Sequence, residues 1–167
     1  MSLVDPILAE LEQEAATTRR VLERVPGDKL GWKPHAKSMS LGQLTLHIAQ
    51  MPGNIASFVS GPVFQMPAGG FTQKEATSTS EIMSTLEESL TKAKGILRGL
   101  DDVTIMSMWS LKAGDKTMMS MPRMAVIRTI MLNHWYHHRG QLSVYLRELD
   151  VPVPSIYGPS ADENPFA

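Results

Sequence analysis

The stretch IRTIMLNHWYHHRGQLSVYLREL, residues 127–149, decides how the rest of the chain is read. Ile127, Met131, Leu142, Tyr145 and Leu149 recur at three- and four-residue steps with His134 and His138 in the same series. That pattern predicts a helix that turns two imidazoles toward a core. Ser120 and Pro122 stand where such a helix opens, and Pro152 and Pro154 terminate it. Three further amphipathic stretches lie upstream. Val4, Ile7, Leu8, Leu11, Ala15, Leu22 and Val25 form the stripe of a first helix, stopped by Pro26-Gly27-Asp28. A second starts at Ser40, with Gln43 completing a capping box, and carries Leu44, Ile48, Met51, Ile55 and Phe58 toward Gly61. Pro52-Gly53 interrupts it, where the missing N–H and the proline ring predict a kink. A third begins at Ser78, with Glu81 as a second capping box, and carries Ile82, Leu86, Leu90, Ala93, Leu97 and Leu100.

The segment from Pro62 to Thr77 shows neither period and is expected to be a long crossover loop. Alternating residues between Val103 and Met119, around Lys112-Ala113-Gly114-Asp115, predict a short β-hairpin before the last helix. The expected fold is therefore all-α: a four-helix bundle with a long crossover loop and that hairpin. At 167 residues, with 43% hydrophobic and 20% charged residues, the chain reads as one domain, residues 1–167. A net charge of −1 without a basic run argues against nucleic acid as a partner. No apolar run reaches membrane-spanning length, and Met1 to Arg20 is acidic and amphipathic, unlike a signal peptide, so a cytoplasmic location is expected. The absence of cysteine excludes disulfides, thiolate ligands and a cysteine nucleophile, leaving histidine and carboxylates as candidate ligands.

His134 and His138 stand four apart, so their side chains leave one helix face about 6 Å apart at Cβ and can share an ion. Two imidazoles in an apolar seam are costly unless their nitrogens find partners, and a metal supplies one. His47, three residues after Leu44 and four before Met51, flanks the buried stripe of the second helix and can reach the same seam. Three such ligands would leave a coordination position open, as catalytic zinc sites do, and a metal-bound water would be the proposed nucleophile. Nitrogen donors suit Zn²⁺ or Ni²⁺ best; Fe²⁺, Mn²⁺ and Co²⁺ stay open. Gln141 returns to the inward face and would orient a ligand imidazole or its water, while His137 is expected beside the ligands or at the surface. Seven methionines from Met106 to Met131 read as core filling or a soft pocket lining, and Trp109 and Trp135 share that ambiguity. His35 reads as a turn residue after Pro34. No carboxylate neighbours the histidines on either helix, which leaves Glu12 and Glu14 as remote candidates for a base.

Gly31-Trp32-Lys33-Pro34, the run from Ser40 to His47, the run from His134 to Leu142 and Pro154 to Ser160 resemble the DinB-like family across nearly the whole chain. The resemblance implies a four-helix bundle in which the second helix gives one histidine and the fourth gives two. It is this likeness that assigns His47, His134 and His138 as a trio. It also implies homodimers, and a mixture of activities: bacillithiol S-transferases, a mycothiol-dependent isomerase and hydrolases. The leading expectation is a metal-dependent hydrolase or low-molecular-weight-thiol S-transferase acting on a small molecule. The alternative is a non-catalytic, metal-binding stress-response dimer whose ion is structural, and a third is a helical dimer holding no metal.

Overall fold

Each of the upstream periodic stretches becomes a long helix in the computed structural model, which describes residues 2–166. Helix α1 (Val4–Leu22) buries Val4, Ile7, Leu11, Ala15, Val21 and Leu22 along one face. Helix α2 (Leu41–Ser60) opens at Ser40, whose Oγ accepts from the Gln43 N–H at 3.1 Å while Gln43 Oε1 accepts from the Ser40 N–H at 2.9 Å. The expected capping box is thus complete. At α3 (Thr79–Arg98) only half of one forms: Ser78 Oγ accepts from the Glu81 N–H at 3.1 Å. The Glu81 carboxylate instead takes the backbone N–H and the hydroxyl of Thr77, at 2.6 and 2.7 Å.

A short helix, α4 (Asp102–Met106), leads into strands β2 (Met108–Ala113) and β3 (Lys116–Pro122), which pair antiparallel about a turn at Gly114, φ +57°. The hairpin is present, with a register shift at Leu111/Lys112. The crossover is not wholly loop. Its residues Val63–Gln65 form β1, which lies parallel to β2 with Val63 opposite Ser110 and Gln65 opposite Lys112. The chain is therefore mostly helical with a small three-stranded sheet rather than all-α. Three residues are too few to show an alternation in sequence; β1 exists because the outer edge of β2 offers backbone groups to pair.

The last helix departs from one continuous α-helix. Pro122 closes β3, α5 (Arg123–Val126) makes one turn, residues Ile127–Asn133 are π-helical, and α6 (His134–Glu148) carries the histidines. The wider π turn alters the angular phase of α6 relative to α5, and Thr129 Oγ1 donates to the Ala125 carbonyl at 2.7 Å, taking up an acceptor within that distortion. Trp135, rather than His134, becomes the fully buried residue of that turn. The stop comes before the prolines. Asp150 adopts φ +56°, its N–H donates to Arg147 O at 3.0 Å, and the Val151 N–H donates to Leu146 O at 2.9 Å, the paired bonds of a Schellman cap.

Packing around α2 positions the functional end of the molecule. Pro52 has no N–H, so the Ile48 carbonyl lacks its helical donor; the Trp135 indole N–H donates to it at 2.9 Å. One residue on, the Gly53 N–H donates to Ser89 Oγ at 2.8 Å, and a Cβ at Gly53 would stand 2.9 Å from the Ser89 carbonyl oxygen. Only glycine allows α2 and α3 to touch so closely there. At the far end of α2, the Phe58 carbonyl accepts from Trp109 Nε1 at 2.7 Å and the Val59 carbonyl from Arg123 Nε at 2.8 Å. Side chains from β2 and α5 thus satisfy carbonyls that the helix end leaves free. Among the described residues no helix is long and apolar enough to cross a membrane.

Candidate metal centre

His47 projects from α2 and His134 and His138 from the first turns of α6. Each contributes one ring nitrogen to a group whose members all lie within 4.8 Å of one another, and no carboxylate of the described residues joins it. The His134 and His138 Nε2 atoms are 2.7 Å apart, and the His47 ring centroid is 4.7 Å from that of His138 and 5.7 Å from that of His134. One bond sets the α2–α6 register: the Trp135 indole meets the Ile48 carbonyl, and His134 and His47 are the residues just before each.

Burial favours the neutral form of all three rings; neighbouring imidazoles add to it, while at His138 the hydrogen bond to Gln141 opposes it. The His47 pKa is pushed down to about 4 by desolvation and then by His138 and His134. Those of His134 and His138 are also lowered, desolvation leading in both. Neutral imidazoles each present a lone pair, which is the form a metal requires.

The tautomer of His138 follows from a chain of hydrogen bonds. The Met39 carbonyl can only accept, so the Tyr145 hydroxyl donates to it, at 3.2 Å. The Tyr145 oxygen then accepts from the Gln141 amide nitrogen at 3.3 Å, which turns Gln141 Oε1 toward His138 Nδ1, 2.9 Å away. His138 Nδ1–H must be the donor to that oxygen, and Nε2 carries the lone pair toward the centre. Trp32, from the Gly31–Pro34 segment, packs edge-on against Tyr145 with ring centroids 5.6 Å apart. That loop therefore bears on the centre through Tyr145 and Gln141.

A cavity of about 320 Å³ opens beside the cluster, with His47 and His134 in its wall. His138 is not in that wall and is 8% exposed. The lining is mainly apolar, with carboxamides from Gln43, Gln50, Asn54 and Gln73 and the single cation Lys74. Gln43, His47, Gln50 and Asn54 follow at steps of four, three and four, so one face of α2 supplies them all.

Other expected residues stand elsewhere. His137 is exposed, its ring centroid 4.9 Å from that of His138. His35 lies in the exposed loop before Ser40, where its Nδ1 accepts from the Lys37 N–H at 3.1 Å. Glu12 pairs with Lys94 at 3.0 Å on the surface, and Glu14 is buried against Arg139, so neither serves the cluster. None of the seven methionines from Met106 to Met131 lines the cavity, whereas Trp109 does. Sequence reasoning did not identify Tyr145 and Met39 as supports or Phe58, Phe64 and Phe71 as cavity walls. The steps from His138 to Gln141 to Tyr145 on one helix face could have revealed the first; the walls depend on a crossover with no periodic signal.

The donor set fits a divalent transition ion: three neutral nitrogens converge, one with its tautomer held, and no cation stands among them. A model of the DinB family matches residues 1–165. The chain is 25% identical over 168 residues to the uncharacterized protein YrdA of Bacillus subtilis (strain 168), covering 96% of this chain and 91% of that protein. Its fold is similar to that of a DinB-like protein of Bacillus cereus ATCC 10987, with a TM-score of 0.69 at 22% identity over 90% of this chain and 95% of the other. A DinB-like protein of Bacillus subtilis, YjoA, gives 0.67 at 23% identity over 87% and 93%.

Proposed function

Since the chain belongs to the DinB family, we propose that it is a divalent-metal-dependent enzyme whose ion is held by His47, His134 and His138. Its reaction would be hydrolysis of a small substrate or transfer of a low-molecular-weight thiol to one. The observation that carries this reading is the position of two of the imidazoles in the wall of a cavity. An ion held by three protein ligands at a cavity wall keeps a side for substrate, whereas an ion that only staples helices is closed by a fourth protein ligand. A bound divalent ion supplies Lewis acidity and lowers the pKa of water or thiol that reaches it. The nitrogen ligands suit Zn²⁺ or Ni²⁺, and Fe²⁺, Mn²⁺ and Co²⁺ are compatible with the same donors.

The remaining roles fall to the chain itself. Gln141 fixes the His138 tautomer, with Tyr145 and the Met39 carbonyl behind it. His137 sits outside this relay and is exposed. The apolar walls exclude water, and Gln50 and Asn54 offer hydrogen bonds to substrate. No Asp or Glu lines the cavity among the described residues, so a carboxylate base is not part of the proposal. We further take the protein to be one domain, residues 1–167, folded as a four-helix bundle and acting in the cytoplasm as a homodimer.

A second reading, a structural ion in a non-catalytic stress-response protein, draws on the fact that the ligands come from two helices. One experiment separates the two. Co²⁺ is titrated into chelator-treated protein and its visible spectrum recorded before and after addition of a small thiol. A spectrum that changes with thiol supports the open site. A spectrum indifferent to thiol favours the structural ion, and no uptake of Co²⁺, Zn²⁺ or Ni²⁺ overturns both readings. Sedimentation equilibrium of the loaded protein tests the dimer.

A further inference from the structure

The walls of the cavity carry information about what fills it. Phe58 of α2, Phe64 of β1 and Phe71 of the crossover form an aromatic stack in the cavity wall: the Phe58 and Phe64 centroids are 3.8 Å apart, and the Phe64 and Phe71 planes differ by only 4°. Trp109 also lines the cavity, and because its indole N–H is bonded to the Phe58 carbonyl it offers the cavity no donor. Phe71 is 58% exposed, an apolar ring at the mouth that a bound ring would cover. The polar side chains, besides the two histidines, are Gln43, Gln50, Asn54, Thr72, Gln73 and Lys74. Gln50 and Asn54 line the cavity from one face of α2, and their carboxamides offer donors and acceptors to a ligand. Lys74 is the single cation of the lining, which contains no carboxylate.

We propose that the substrate bound here is a small planar aromatic compound, uncharged or monoanionic, with one carbonyl or carboxylate group. Its ring lies against Phe58, Phe64, Phe71 and Trp109, and its oxygen-bearing end is at His47 and His134. The identity of the reactive end rests on the metal reading above; the aromatic body rests on the cavity walls alone. A cavity of about 320 Å³ is at the small end of the range for ligand sites and suits one ring system rather than a nucleotide or oligosaccharide. A hydrophilic thiol would meet a surface that is mostly apolar, so in a thiol transfer the cavity holds the acceptor and the thiol enters from the solvent side.

Two hydroxamates that ligate metal identically test this. Isothermal titration of Co²⁺-loaded protein compares benzohydroxamate with acetohydroxamate, and chelator-treated protein is titrated with 2-naphthoate. Burial of the ring makes benzohydroxamate bind at least about tenfold tighter. In Phe71→Ala and Phe64→Ala that ratio falls by roughly two- to tenfold, while acetohydroxamate binding, which reports the ion, is retained. Phe71 is exposed, so its variant keeps the fold even if Phe64→Ala does not. Equal affinity for the two hydroxamates, or a ratio that Phe71→Ala leaves unchanged, overturns the aromatic substrate and leaves the metal reading standing. If Co²⁺ fails to bind but 2-naphthoate still binds in a Phe71-dependent manner, the metal reading falls and the aromatic cavity survives.

Discussion

His138 and Arg139 are neighbours on α6, 8% and 1% exposed, yet the polar clusters they belong to are built on opposite terms. Arg139 meets complementary groups. Its Nη2 donates to the Glu14 carboxylate and to the Tyr157 hydroxyl, each at 2.5 Å, and its Nη1 to the Glu14 carbonyl and Thr18 Oγ1 at 3.1 and 3.0 Å. Tyr157 returns a bond to Glu14 at 2.9 Å, and among these groups only Arg139 Nε lacks a partner. The histidine cluster instead brings like groups together, three neutral rings with one another for company and a cavity on one side. Burial alone does not distinguish the two clusters; one joins opposite charges in a closed network, the other joins like rings beside a cavity.

That contrast can be broken from either side. Removing the charge in Arg139→Met leaves Glu14 buried and unpaired, and should cost about 3–5 kcal/mol in chemical denaturation; adding Glu14→Leu should recover most of it. Metal affinity should hold in the double variant, and its loss there would mean that the clusters are coupled. On the other face, His138→Ala should weaken Zn²⁺ binding several hundredfold in a chelator competition. Apparent energies of roughly 10–16 kcal/mol for zinc sites with four protein ligands give about 2.5–4 per ligand, or roughly 70- to 900-fold. Thermal stability of the metal-free protein should change far less than in Arg139→Met. Gln141→Leu frees the His138 tautomer without removing a ligand, and should lower affinity by about 10–100-fold with a shifted Co²⁺ spectrum. Smallest is Trp135→Phe, which strips the Ile48 carbonyl of its donor and should cost roughly 1–2 kcal/mol, read by denaturant midpoint. A Trp135→Phe protein as stable as the parent would show that water replaces the indole.

Much of the helical framework was legible because it rests on local chemistry. The Ser40–Gln43 box, the stripe of α1 and the glycine turn at Gly114 are short-range features, and each appears where the residues require it. The exceptions are set by distant partners. β1 needs the edge of β2, and the π turn before His134 is blurred in a pattern read over many residues at a single period. Glu81 chose Thr77 over the cap position, a competition between neighbouring N–H groups that spacing cannot decide. At the site, the spacing of His134 and His138 was plain, but His47 joined them through a family likeness, since its sequence neighbours mark only a helix face. Tyr145 was read as an inward residue and not as the hydroxyl that orients Gln141. Phe71 and Lys74 entered from a crossover whose path is written in no periodicity.

The proline in α2 also bears on the order of assembly. A helix of ordinary residues can complete its own ladder as soon as it coils, but α2 waits for Trp135, 87 positions away, to close the gap at Ile48. Its far end waits for Trp109 and Arg123, 51 and 64 positions beyond the carbonyls they satisfy. The early half of the polypeptide is therefore left with open acceptors until the late half docks, and the contact that finishes α2 is the same one that brings His134 level with His47. Completion of the scaffold and convergence of the three histidines become one cooperative event, so a partly folded chain has little chance of presenting the finished trio.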